Sequence, residues 1–185
     1  MSKYTELHKL KSEMEKDGLL PLKKDAGKLV FGSGNTEATI LAIGEGPGRT
    51  ESVQGLPFVG QAGKLLDKLL LLAGLNREEI YITNIVHHRP PENRDPLLNE
   101  IESYGKYLDQ IINIIKPKMI ITLGRFSMNK FLPDAIISEV HGKVFEVNNM
   151  KIIPMYHPAA SLRNGKILSA EKADFLKLKD MVQFT

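Results

Sequence analysis

Four residues stand where a side chain can do chemistry. Asn84 interrupts the apolar run IYITNIV (80–86). An amide inside a buried strand must find partners. It is either a satisfied core Asn or a group whose carbonyl and NH2 meet an amide-like edge offering one donor and one acceptor. His157 ends another apolar run, just before Pro158, where a lone His is either structural or a proton donor facing a site. Glu45 follows directly on the run ATILAIG (38–44). Phe58, bracketed by Pro57 and Gly60, is either a core plug or a flat surface for stacking on a base.

These residues need a frame to hold them. Residues 3–16 show a polar helix pattern, and 38–44 read as a strand. Leu65, Leu66, Leu69, Leu70 and Leu72 give 62–75 a helical face with Gly74 as its stop. The β-branched run 80–86 reads as a second strand, 97–115 as a long helix ending before Pro117, and 118–124 as a third strand. RFSMNKFL (125–132) reads as a short helix. Residues 143–157 read as a hairpin turning at Asn148–Asn149, and about 169–182 as a last helix. Strands alternating with helices predict a three-layer α/β/α sandwich around a mostly parallel, four-stranded sheet. No long linker or repeat divides the chain, so 1–185 is expected to be one domain. In such sheets ligands bind beyond the carboxyl ends of the strands. Here those ends carry GEGPG, TNIVHHRPPENR, TLGR and MYHPAASLR, which predicts convergence on one rim.

The segment Gly44–Gly63 holds six glycines and two prolines. It does not fit the dinucleotide fingerprint, because Arg49 stands where the third glycine belongs and Pro47 interrupts the turn. No Walker A loop is present, and no carboxylate cluster suits a metal-dependent phosphoesterase. The chain has 185 residues, 42% hydrophobic, a net charge of +3 and no cysteine. That charge leans only mildly towards polyanions. The lack of cysteine excludes disulfides, thiolate catalysis and Cys-ligated metal. The charged N-terminus and short apolar runs give no signal peptide or membrane span, and a cytoplasmic location is expected.

GEGPGRTESVQGLPFVGQAG, IYITNIVHHRPPENRDP and MYHPAASLR, in this order and at these intervals, resemble the uracil-DNA glycosylase superfamily, most closely family 4. The resemblance covers nearly the whole chain. It implies a monomeric enzyme that extrudes uracil from DNA and hydrolyses its N-glycosidic bond, with no cofactor in this chain. It implies Glu45 and His157 as catalytic residues, and Gly44, Gly46, Phe58 and Asn84 as the uracil pocket. Asn93 and Arg94 are implied to hold the loop or a phosphate, and Ser161, Leu162 and Arg163 to meet DNA, with Leu162 or Arg163 as wedge.

Two departures stand out. Family 4 carries four cysteines around a [4Fe–4S] cluster, and the matching positions here are Asp17, Leu20, His88 and Tyr104. Packing of Leu20 on Tyr104 and a polar contact between Asp17 and His88 are expected in place of the metal, with a zinc site on His87 and His88 as the sharper alternative. Gly46 stands where the family usually has Ala, which is expected to widen the pocket or loosen the loop. HHRPPENR lacks the Arg- and His-rich insertion of the branch that traps DNA covalently, so hydrolysis is implied. The alternatives are a weak or inactive uracil-DNA-binding relative, and a glycosylase with a broader range of deaminated bases.

Overall fold

Ile40–Gly44 is buried at every position, as a strand covered on both faces must be. In the computed structural model, which describes residues 1–25 and 27–182, it lies at the centre of the sheet. The strands are β1 (Ser33–Gly34), β2 (Ile40–Gly44), β3 (Tyr81–Asn84), β4 (Met119–Leu123), β5 (Phe145–Val147) and β6 (Met150–Met155). The helices are α1 (Lys3–Lys16), α2 (Arg49–Gln54), α3 (Gln61–Leu72), α4 (Leu98–Ile115), α5 (Arg125–Asn129), α6 (Ile137–Val140), α7 (Pro158–Ser161) and α8 (Gly165–Val182).

Side chains alternate across a strand, and β2 shows what each face meets. Leu41 and Ile43 enter a core with Leu7, Leu10 and Met14 of α1 and Leu108, Ile111 and Ile115 of α4. Ile40 and Ala42 enter a second core with Leu66, Leu69 and Leu70 of α3 and Phe175 and Leu178 of α8. The three layers expected from the sequence are therefore present. The sheet order is β1-β3-β2-β4-β6-β5, and among the described residues it has six strands, not four. Only the centre, β3-β2-β4-β6, is parallel; β1 and β5 pair antiparallel at the two edges. With two residues, β1 is too short to leave a period in the sequence. The β5–β6 hairpin turns at Asn148 and Asn149, whose φ values of 51° and 63° are those a two-residue type I′ turn requires.

β2 connects through α3 to β3 on one side and β3 through α4 to β4 on the other. This places the point where strand order reverses beside β2, where a crevice opens at the carboxyl ends.

The expected replacement for the metal staple is corrected. Asp17 does not meet His88. Its Oδ2 accepts from Lys106 Nζ at 2.9 Å and from the Tyr107 hydroxyl at 2.7 Å, tying the end of α1 to α4. His88 instead places Nδ1 2.8 Å from the Tyr104 hydroxyl. Leu20 and Tyr104 share the first core. The spacing of α4 explains the exchange, because Tyr104 and Tyr107 lie one turn apart and each meets a different partner. Hydrogen bonds from Lys106, Tyr107 and the Leu19 amide hold the Asp17 carboxyl down at about 2. Burial, with the charge of Lys23, lowers His88 to about 4.

Both shifts are downward, so both contributions to stability exist at neutral pH and fade on acidification. For His88 the loss runs from its unfolded value near 6.5 down to about 4; for Asp17 it continues towards 2. Tyr104→Phe strands a buried ring nitrogen and is expected to cost about 1–3 kcal/mol. In a thermal melt each kcal/mol lowers Tm by roughly 2–4 °C for a chain of this size. An unchanged Tm would show that the hydroxyl is not part of the staple.

Candidate active site

The ends of the four parallel strands line one cleft of about 540 Å³: Glu45 after β2, Asn84 at the end of β3, Gly124 and Arg125 after β4, and Tyr156 and His157 after β6.

The register of β2 on β3 pairs Gly44 with Asn84. A Cβ at Gly44 would stand 2.5 Å from Asn84 Oδ1 and 2.6 Å from the Phe58 ring, so the missing side chain is what lets both crowd against this point of the backbone. Asn84 is 1% exposed, and its Oδ1 has no hydrogen-bond partner among the described residues. A buried acceptor without a partner costs roughly 1–3 kcal/mol, and this one belongs to a residue that lines the cleft.

Phe58 is 6% exposed and lies at φ 52°, a left-handed conformation that a bulky residue rarely adopts. Its ring stacks on that of His157, with centroids 5.7 Å apart and planes inclined by 29°. The backbone around it is clamped from both sides. Glu51 Oε1 accepts from the Val59 and Gly60 amides at 3.0 and 2.8 Å. Arg77 donates to the Phe58 carbonyl at 2.8 Å and also to that of Pro57.

His157 caps α7 and is half-buried. Its Nδ1 accepts from the Ala159 amide at 3.1 Å, which leaves Nε2 to carry the proton. Burial, assisted by the charge of Arg163, lowers its pKa to about 4, so the ring is a neutral donor at pH 7. Glu45 is also half-buried. Its Oε1 accepts from the Phe126 amide at 3.4 Å, at the start of α5. Burial pushes its pKa up to about 7 against that bond.

These features coincide with a match to known sequences. Residues 31–179 match the family model for the uracil DNA glycosylase superfamily. The chain belongs to that superfamily. It is 44% identical over 169 residues to a type-4 uracil-DNA glycosylase of Archaeoglobus fulgidus, covering 86% of this chain and 85% of that protein. It is 44% identical over 163 residues to that of Saccharolobus solfataricus, covering 82% and 74%. For Sulfurisphaera tokodaii the figures are 40% over 185 residues, 95% and 84%.

The remaining sequence-derived residues are placed unevenly. Asn93 and Arg94 line the cleft, but Arg94 grips the buried Glu100 with both terminal guanidinium nitrogens, at 2.9 and 2.6 Å. Asn93 Oδ1 accepts from Arg89 at 2.7 Å. Leu162 and Arg163 are exposed beside the cleft. Ser161 is 2% exposed and gives its hydroxyl to Glu171. Gly46 faces Val86: a Cβ there would come within 2.8 Å of Val86 Cγ2, so the valine methyl takes the space that the missing one leaves.

The [4Fe–4S] cluster implied by the family-4 pattern does not fit these residues. Such clusters need thiolates, and Asp17, Leu20, His88 and Tyr104 offer none. His87 turns Nδ1 to the Val30 and Phe31 carbonyls while His88 turns to Tyr104, so the zinc pair weighed from sequence is not assembled.

The sequence reading missed Glu51, Arg77 and Tyr156. Glu51 precedes Phe58 by seven residues with no periodicity between them, and Arg77 lies beyond a whole helix.

Proposed function

We propose that residues 1–185 act as one domain that flips uracil out of DNA and hydrolyses its N-glycosidic bond, leaving an abasic site. The observation that carries this is the unpartnered Asn84 Oδ1, beside the Phe58 ring at Gly44. The amide is set to accept from uracil N3–H and donate to O4, and cytosine presents the reverse pattern. Phe58 supplies the stacking face.

A base in a duplex must leave the stack first, which costs about a few kcal/mol. Leu162, 51% exposed at the end of α7, is suited to fill the gap, and Arg163 to meet a phosphate. When the C1′–N1 bond breaks, its electron pair goes to the base and positive charge develops on the sugar. His157 Nε2–H stabilises the uracil anion at O2 by a hydrogen bond. Glu45, as carboxylate, offsets the sugar cation and takes a proton from the water that adds to C1′. No step calls on a metal or cofactor. Among the described residues no helix is long and apolar enough to cross a membrane. The reading adds a monomer working in the cytoplasm.

The test is base release from an oligonucleotide with one deoxyuridine, single-stranded and opposite G and A, with chelator present. The wild type should cleave unaffected by chelator. His157→Ala should lose about 10²–10³-fold, as removal of one oxyanion donor does. Wild-type protein that binds this DNA but releases no base would make it a uracil-DNA-binding relative instead.

A further inference from the structure

We infer that Arg77 is the positioning residue for the Phe58 platform, an inference that rests on the uracil reading above. Arg77 lies outside the described residues that line the cleft, and its side chain is 23% exposed. Its guanidinium turns both terminal nitrogens to the 57–58 backbone. Nη1 bonds the Phe58 carbonyl at 2.8 Å and Asp67 Oδ1 at 3.0 Å, while Nη2 bonds the Pro57 carbonyl. A planar fork suits two successive carbonyls in a way that an ammonium does not.

Those carbonyls need it. The Pro57–Phe58 segment belongs to no helix or strand, so no ladder satisfies its buried backbone groups. Phe58 also holds a left-handed φ of 52°, which persists only where the surroundings over-determine it. Three contacts do so: Arg77 on the carbonyls, Glu51 on the next two amides, and α3 packed so closely that a Cβ at Gly63 would overlap the Phe58 carbonyl. Glu51 also lines the cleft and so can act there in its own right. Arg77 reaches the site only through Phe58. Releasing it lets the 57–58 backbone relax towards ordinary φ and carries the ring off His157.

DNA affinity rests mainly on phosphate contacts, so Arg77→Met should leave KM nearly unchanged. Its effect falls on the extruded state, where stacking on an aromatic ring is worth about tenfold or more per base. The expected result is a kcat about tenfold lower and inhibition by free uracil weakened by a similar factor. Adding Arg77→Met to Phe58→Leu should cost little further, since residues acting through one contact are non-additive. Methylguanidine should partly restore Arg77→Ala, and Arg77→Lys should fall between. NMR gives a reading independent of catalysis: the ring-current shift that Phe58 imposes on the His157 ring protons should shrink in Arg77→Met. If excision is absent from the wild type, the functional reading fails, while this shift still reports whether Arg77 holds the ring. Should Arg77→Met not fold, Arg77→Lys, which can serve only one carbonyl well, carries the same measurements. An unchanged shift, or losses that simply add to those of Phe58→Leu, would overturn the inference and leave Arg77 a surface tether.

Discussion

Asn84→Asp is expected to reduce uracil excision by about 10⁴-fold, the scale seen when a site built to hydrogen-bond a substrate meets a mismatched partner. The size follows from where the amide sits. Asn84 ends β3 in register with Gly44 of β2 and is 1% exposed, so it cannot swing away from a bad contact. Replacing its NH2 by oxygen removes the donor to uracil O4 and sets two acceptors face to face. It also places a carboxyl in a buried position, where its charged form is disfavoured. A proton on the oxygen that faces N3 lets the carboxyl donate to cytosine N3 and accept from its N4 amine, while it clashes with uracil N3–H. The ratio of cytosine to uracil release should therefore rise even as total activity falls. Single-turnover release from otherwise identical U- and C-containing strands measures both quantities. Uracil release within tenfold of wild type would show that Asn84 does not read the base.

What the sequence made legible was the part of the molecule built from local pattern. The apolar strands β2, β3 and β4 and the amphipathic α3 and α4 lie where their periods place them. The Asn148–Asn149 turn forms because those two residue types tolerate positive φ. The convergence of four strand ends on one cleft followed from parallel topology, and it delivered Glu45, Asn84 and His157 together. What was illegible depends on contacts between distant residues. The two-residue β1 exists only because β3 offers it an edge. The short α2 hides in a glycine-rich segment between Gly48 and Gly55. Asp17 and His88 could each have met any of several polar groups, and only the rotation of α4 decides that Tyr107 takes one and Tyr104 the other. Arg77 carries no motif at all. Its role is visible only once the carbonyls of Pro57 and Phe58 are seen to lie under its fork.

The pH dependence of excision should place Glu45 at the centre of the reaction. A carboxyl on the protein surface titrates near 4.3, but burial pushes Glu45 up to about 7. The sign is set by the form that acts. The carboxylate takes the proton from water, so kcat/KM, which reports the free enzyme, should rise with pH through an acid limb near 7. His157, lowered to about 4, stays neutral throughout and adds no limb in this range. Two charged groups face Glu45 at the cleft mouth, Asp95 and Arg125, paired at 2.5 Å with both side chains largely in solvent. Asp95 raises the Glu45 pKa and Arg125 lowers it. Asp95→Asn should therefore move the limb to lower pH and Arg125→Gln to higher pH. Opposite displacements from two neighbours are hard to produce by general damage to the fold. Glu45→Gln should remove the limb and reduce the rate about 10²–10⁴-fold, the usual worth of a positioned general base. The same upward shift works against the fold. Stability linked to the protonated carboxyl is complete below about 4.5 and is lost as pH rises through 7. Glu45→Gln should accordingly be slow yet less sensitive to rising pH in its melting temperature. A limb that stays near 7 in Glu45→Gln would mean that another group titrates, and Glu45 would no longer be the base.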